Sequence, residues 1–225
     1  MRGARPDAAL EQALARRVAP QQGETLVAAV SGGPDSAALA ALLCRAAPAR
    51  KATVVLAYID HGVRGAVVQD EAVVLGIAAA LGAPLAIRAL ARGLRGEAAL
   101  REARYAALAA IAGERGARRI VTAHHARDQS ESVLLALLRG CGPSGLGGIE
   151  PVRPLGPHLS LERPLLETEP EELFAYALRR GLPVARDPSN ANPSLRRNAL
   201  RAALCELRRS LPHLDAAVAR CARIA

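Results

Sequence analysis

The chain has 225 residues, 51% hydrophobic and 23% charged, which suits a globular protein long enough to bury a core without staples. Its net charge of +9, nearly all arginine, attracts polyanions, while the lack of tryptophan and 2% aromatic content exclude base-stacking modules such as an RNA recognition motif. No apolar run reaches membrane-spanning length, and Cys44, Cys141, Cys205 and Cys221 contain no CxxC pair, so the cysteines read as reduced cytoplasmic thiols rather than a disulfide, zinc or iron–sulfur framework.

Residues Met1 to Pro20 mix arginines with Asp7 and Glu11 and read as a short amphipathic helix, not a signal peptide. Thr25–Val30 is an apolar run and predicts a buried strand. Ser31, Gly32, Gly33, Pro34, Asp35 and Ser36 follow, and then the Ala/Leu-rich helix Ala37–Arg45. A strand, a glycine turn and a helix start together make an anion site. The first N–H groups of the helix have no internal acceptor, and the helix dipole adds positive charge there. Gly32 and Gly33 can adopt positive φ, Ser31 and Ser36 supply hydroxyls, and Asp35 or Ser36 is the expected N-cap. The same turn could hold nothing. Asp35 weighs against that, because an acid beside an anion site calls for a cation, a combination that suits a nucleoside triphosphate with Mg²⁺. A Walker A loop is excluded, since the single lysine, Lys51, follows Arg50 rather than glycine.

Thr53–Ile59 predicts a second strand, ending at Asp60, His61 and Gly62, which read equally well as only a turn. Glu71–Leu81 is a helix stopped by Gly82, and Pro84–Arg88 a short third strand. Glu97–Ala112 is a helix whose apolar stripe, Leu100, Leu108 and Ile111, also carries Arg104. A guanidinium there needs either a structural carboxylate or a ligand phosphate. Arg119–Thr122 is a fourth strand, followed by a helix over His125–Leu138 closed by Gly140. If that helix begins at His124, His124 and Asp128 share a face at i, i+4, with Leu134, Leu137 and Leu138 as the core stripe. Such a pair can hold an amine, orient a nucleotide or move a proton; otherwise it is a capped helix with solvated polar residues. No third ligand at useful spacing argues for a metal there.

Gly140 to Pro157 is rich in Gly and Pro and reads as a loop; its Gly140-x-Gly142-x-x-Gly145 has the wrong context for dinucleotide binding. Thr168 to Glu171 reads as a capping box opening the helix Glu169–Arg180, and Asp187-Pro188-Ser189-Asn190 as a turn. Ser194–Ala225 reads as one or two basic helices broken near Pro212, with Arg197 and Arg201 at i, i+4, either a phosphate clamp or a solvated basic face. Strand–helix alternation with continuous apolar strands predicts an α/β fold: a parallel five-stranded sheet with helices on both faces, followed by a short C-terminal helical extension. The expected division is an N-terminal helix (1–20), an α/β domain (21–190) and the extension (191–225). Ligands should lie at the carboxyl ends of the strands.

In order along the chain, Ser31–Ser36, Asp60-His61-Gly62-Val63-Arg64, Arg101-Glu102-Ala103-Arg104-Tyr105, Ala123 to Gln129, Leu138 to Gly147, Arg163-Pro164-Leu165-Leu166, Asp187–Asn190 and Arg197-Asn198-Ala199-Leu200-Arg201 resemble the tRNA(Ile)-lysidine synthetases, a family of PP-loop ATP pyrophosphatases. The resemblance runs from about Leu26 to Arg201. It implies the adenine nucleotide alpha hydrolase-like fold, ATP, Mg²⁺, free L-lysine and, as partner, the isoleucine tRNA with anticodon CAU. By resemblance Ser31–Ser36 hold ATP, and Asp35, Arg104, His124, Asp128 and Arg201 surround ATP and lysine. Asp60, His61, Arg197 and Asn198 are further expected substrate contacts. The family often has a second acid where this chain has Arg127, and its members continue into C-terminal domains that hold tRNA. A weaker grip on tRNA is therefore expected, with dimerisation one way to add surface. The rival readings are a tRNA 2-thiolation enzyme, which needs CxxC cysteines, an NAD synthetase-type amide ligase, which lacks the His-His-x-x-Asp-Gln stretch, and a non-catalytic tRNA-binding relative.

Overall fold

The computed structural model describes residues 4–60, 67–91, 93–94, 96–185 and 196–224; for 4–6, 67–69, 144 and 196–198 it describes the backbone. Five strands are parallel: β1 (Thr25–Val30), β2 (Thr53–Asp60), β3 (Leu85–Ala89), β4 (Arg119–Val121) and, at the end of the series, β6 (Leu159–Glu162). The remaining strand, β5 (Val152–Gly156), runs antiparallel against β6, and the sheet order is β3-β2-β1-β4-β6-β5. The five-stranded parallel sheet expected from the sequence is thus present, with a sixth, antiparallel strand at its edge. β5 lies in the stretch read as a loop. It carries Pro154 and a register irregularity between Pro154 and Gly156, and an edge strand is where a missing N–H is tolerated.

Successive residues of β1 face opposite sides of the sheet, and both sides are covered. Leu26, Ala28 and Val30 meet α1 (Ala4–Val18), α2 (Pro34–Ala46), α3 (Val67–Leu81) and α6 (Pro170–Arg179). Val27 faces α4 (Glu97–Glu114), with Ala57, Ile59, Ile120 and Leu161 beside it. α2 is buried nearly all round, from Ser36 to Leu43, and it sits between α1, α6 and the sheet. Each fully buried leucine there contributes about 1.5–3 kcal/mol. α1 is part of this core through Leu10, Leu14 and Val18.

α5 (Ala126–Leu138) differs from its sequence reading. Its buried face is Gln129, Ser130, Glu131, Val133 and Ala136, while Leu137 and Leu138 are exposed. The reason is its neighbours: α5 packs on α8 (Leu214–Ile224) and α7 (Arg196–Ser210) rather than flat on the sheet, and those helices offer polar partners. One or two helices broken near Pro212 were expected, and two are found. The Thr168 capping box is not: α6 has Glu169 as N-cap and Pro170 in its first turn, with no side-chain cap bond. Pro170 favours the first helical position, and the Thr168 hydroxyl accepts from Arg17 Nη1 at 3.4 Å instead. Asp187–Asn190 lie outside the described residues.

Candidate active site

The strand order reverses between β1 and β4, the point where a parallel sheet opens a crevice at its carboxyl edge. A cleft of about 670 Å³ lies there, between the starts of α2 and α5. After β1 the chain turns at Gly32, whose φ of +85° is a left-handed conformation. Gly33, extended at φ −70°, ψ 159°, is the N-cap of α2, with Pro34 in the first turn. The N-cap is therefore neither Asp35 nor Ser36, and Gly32 alone of the two glycines uses positive φ. A chain of bonds closes the loop on itself: Ser31 N–H donates to Ser36 Oγ at 3.1 Å, and Ser36 Oγ donates to the Gly33 carbonyl at 2.9 Å. The α2 ladder begins with Ala37 N–H to the Gly33 carbonyl, so the Asp35 and Ser36 N–H groups precede it at the cleft.

After β4, Thr122 N–H donates to the Glu162 carbonyl and Ala126 N–H to the Thr168 carbonyl, which fixes the strand-to-helix turn. His125 is the N-cap of α5 in a capping box: its N–H donates to Asp128 Oδ2 at 3.2 Å, and its Nδ1 accepts from Asp128 N–H at 3.4 Å. Capping at Nδ1 leaves Nε2 as the protonated nitrogen of the neutral ring, and Nε2 stands 3.6 Å from Asp35 Oδ2. The histidine joined to the acids is His125, and the helical His124–Asp128 pair is not formed, because the helix starts two residues later than that pair requires. His124 lies on the cleft wall with Nδ1 2.9 Å from Thr122 Oγ1.

Burial pushes the Asp35 carboxyl above its ordinary range; His125 opposes the shift and the Asp128 charge adds to it. Tyr58, also on the wall, is pushed up to about 12 by burial and by Asp70, Asp60 and Glu71, and so remains a neutral hydroxyl. Arg201, from α7, sets Nε 2.9 Å from both oxygens of the buried Glu131, with Nη2 3.5 Å from Asp128 Oδ1. Burial would lower the Arg201 guanidinium, but Glu131 and Asp128 hold it above its usual value. Arg127, where the resemblance looked for an acid, bonds Glu171 on α6 at 2.5 Å and lies 3.6 Å from Asp215 on α8.

Of the residues expected from the sequence, Ser31, Gly33, Asp35, Ser36, Arg104, His124, Asp128 and Arg201 all line this one cleft. Asp60 closes β2, and its carbonyl accepts from Leu90 N–H at 2.8 Å, but it is not part of the wall. His61 lies outside the described residues, as do the side chains of Arg197 and Asn198. Sequence reading assigned no role to His125, Glu131 or Asp70. For His125 the signal was present, since an acid three residues on is the spacing of a capping box. For Glu131 it was not, because its meaning depends on Arg201, seventy residues away in sequence.

The site can take an anion on the glycine turn and a cation between its acids. Among the described residues no three His, Cys, Asp or Glu form a metal cage. Mg²⁺ asks for less, because it keeps waters and binds through one or two carboxylates plus substrate phosphates. Asp35, destabilised as an anion by burial and by Asp128, fits that role.

A family model described as the PP-loop domain matches residues 6–208. The chain is 42% identical over 188 residues to a tRNA(Ile)-lysidine synthase of Symbiobacterium thermophilum, covering 80% of this chain and 39% of that protein. It is 42% identical over 222 residues to one of Methylobacterium sp. (strain 4-46), covering 94% and 62%. To one of Thermus thermophilus it is 44% identical over 193 residues, covering 82% and 35%. The chain thus spans roughly one third to three fifths of the length of these relatives. In fold it is similar to the U34-tRNA thiolase NcsA from Methanococcus maripaludis (TM-score 0.82, 14% identity, 98% of this chain and 80% of that one). A second neighbour in fold is the NMN synthetase from Francisella tularensis (TM-score 0.53, 14% identity, 80% and 71%). The glycine turn at the sheet's switch point and the family match over nearly the whole chain lead to one conclusion: the chain belongs to the PP-loop domain family, whose membership implies ATP binding.

Proposed function

We propose that the chain carries the catalytic part of a tRNA(Ile)-lysidine synthetase, joining L-lysine to C2 of the wobble cytidine in the CAU anticodon of tRNA(Ile). The observation that supports it most is the grouping of Asp35, His125 and Asp128 at the mouth of a PP-loop. That grouping puts acids and an imidazole beside an anion site, as an amine nucleophile and a phosphate electrophile require. The relatives at 42–44% identity point the same way.

The C2 oxygen of cytosine is a poor leaving group, so an amine cannot displace it directly. Attack of that oxygen on the α-phosphate of ATP forms an O–P bond and releases pyrophosphate. The lysine ε-amine then forms the C2–N bond, loses a proton, and AMP departs with the former C2 oxygen. The α2 N-terminus and the Gly32-Gly33 turn receive the phosphates. Asp35 would hold Mg²⁺, which supplies charge neutralisation on the departing pyrophosphate. Asp128, kept in place by Arg201 and the His125 cap, receives the lysine ammonium, and its carboxylate is the group placed to accept the proton. Arg104, on the wall of the same cleft, would offset charge on the phosphates. The reading places the enzyme in the cytoplasm, where tRNA is processed and thiols stay reduced; all four cysteines are free. Product analysis tests the first half-reaction. AMP and pyrophosphate should appear from ATP only when the tRNA is present. ADP, or turnover indifferent to tRNA, contradicts the proposal.

A further inference from the structure

A second cleft, of about 1300 Å³, lies between α4, α5, β5 and the start of α7. Its charged wall is Arg101, Arg139, Arg153 and Arg163 against Glu97 and Glu150. Three guanidiniums gather on the ring of the buried Tyr105: Arg104 at 5.3 Å from its centroid, Arg101 at 5.6 Å and Arg153 at 5.8 Å. Among the described residues none of the three is ion-paired to a carboxylate. Beneath them Arg163 is 3% exposed and gives Nη1 to the Glu150 carbonyl at 2.5 Å. Among the described residues its Nε and the Tyr105 hydroxyl are buried with no well-formed hydrogen bond, although the two side chains adjoin. Burial pushes the Tyr105 phenol up, but the close approach of the Arg163 guanidinium, with the Arg101 and Arg104 charges beside it, holds it below its ordinary value.

Cation–π contacts hold such charges in place, but they do not neutralise them. Like charges collected at one point, with donors below that lack a well-formed bond, are complemented by an anion that accepts several forked bonds, which is the chemistry of phosphate. Arg104 lines the reactive cleft and Arg101, Arg153 and Arg163 the second one, so the cluster bridges the two. We propose that this cleft binds the RNA backbone: Arg101 and Arg153, set on Tyr105 with Arg163 behind, take successive phosphates next to the nucleotide that enters the reactive cleft. The inference rests on the RNA-modifying reading above.

The test measures binding of a tRNA(Ile) transcript with anticodon CAU between about 50 and 200 mM salt, for wild type, Arg101→Ala/Arg153→Ala and Arg101→Lys/Arg153→Lys, with ATP binding measured in parallel. Both arginines are exposed and lie outside the catalytic group, so the fold should persist. The alanine pair should bind tRNA roughly tenfold more weakly, with the slope of log affinity against log salt reduced by about 1.4–1.8 for two lost contacts. ATP affinity should be unchanged. The lysine pair should keep the slope but lose part of the affinity, because ammonium keeps the charge without the fork. If wild type binds tRNA and the alanine pair shows the same slope, the cleft is not the RNA contact, while the proposed function stands. Loss of ATP affinity with tRNA binding intact assigns the cluster to the nucleotide and overturns the inference. Should the alanine pair not melt cooperatively, unchanged affinity in the lysine pair overturns it. No tRNA binding by wild type overturns this inference and the RNA reading together.

Discussion

His125 Nε2 stands 3.6 Å from Asp35 Oδ2, and the ring's other nitrogen caps the turn that carries Asp128. One imidazole therefore spans two carboxylates delivered by different strands, β1 and β4. The burial that raises the Asp35 carboxyl also makes its ionisation unfavourable to the fold.

That linkage fixes a sign. A carboxyl raised above its unfolded value of 3.8 contributes stability below that value and loses it as pH rises through the folded value. Asp35→Asn, which carries no charge to bury, should therefore melt higher than wild type at pH 7, and the gain should vanish near pH 3. Turnover should fall on the order of 10²–10³-fold, the cost of about 2.7–4 kcal/mol for one lost transition-state contact. Thermal melts at the two pH values check the first claim. A lower melting temperature at pH 7 contradicts it, and near-normal kcat removes Asp35 from the chemistry.

Asp215 shows the opposite linkage. It is 5% exposed, accepts two bonds from Arg208 at 2.8 and 3.0 Å, and meets Ser130 of α5. Burial would raise it, but Arg208, Ser130 and Arg127 together hold it below the usual carboxylate range. Its contribution is present above the unfolded value and is lost as pH falls through the folded one. Asp215→Ala takes the carboxylate away from the largely buried Arg208 guanidinium and should cost about 3–5 kcal/mol at pH 7. Urea unfolding at pH 7 and pH 3 measures it. An equal cost at both pH values would refute the charge argument.

The PP-loop separates its two glycines. Gly32→Ala has room for its Cβ, the nearest atoms lying 3.6–3.7 Å away, so its cost is the left-handed backbone, about 1–2 kcal/mol. Gly33→Ala sits at φ −70° and should change stability much less. Chemical denaturation of both variants decides, and equal losses would show that φ is not the cause.

Much of this arrangement was legible along the chain. Thr25–Val30 is continuous and apolar because both of its faces are covered, and Gly32-Gly33 interrupts it where the chain must turn. Those signals are local and survive in one dimension. β5 was not legible, since Pro154 and Gly156 are marks of a loop unless the edge position is known. The α5 stripe misled for a related reason. Leu137 and Leu138 look like core, whereas Ser130 and Glu131 are buried only because Asp215 and Arg201 arrive from α8 and α7. Hydrophobic periodicity cannot register burial that depends on a partner far along the chain.

Lysine transfer itself is read with radiolabelled L-lysine, ATP, Mg²⁺ and tRNA(Ile) of anticodon CAU. Label should enter the tRNA with one AMP and one pyrophosphate released per lysine, and Asp128→Ala should raise the lysine KM or stop transfer. Incorporation without ATP, release of ADP, or no incorporation by a well-folded protein would contradict the account.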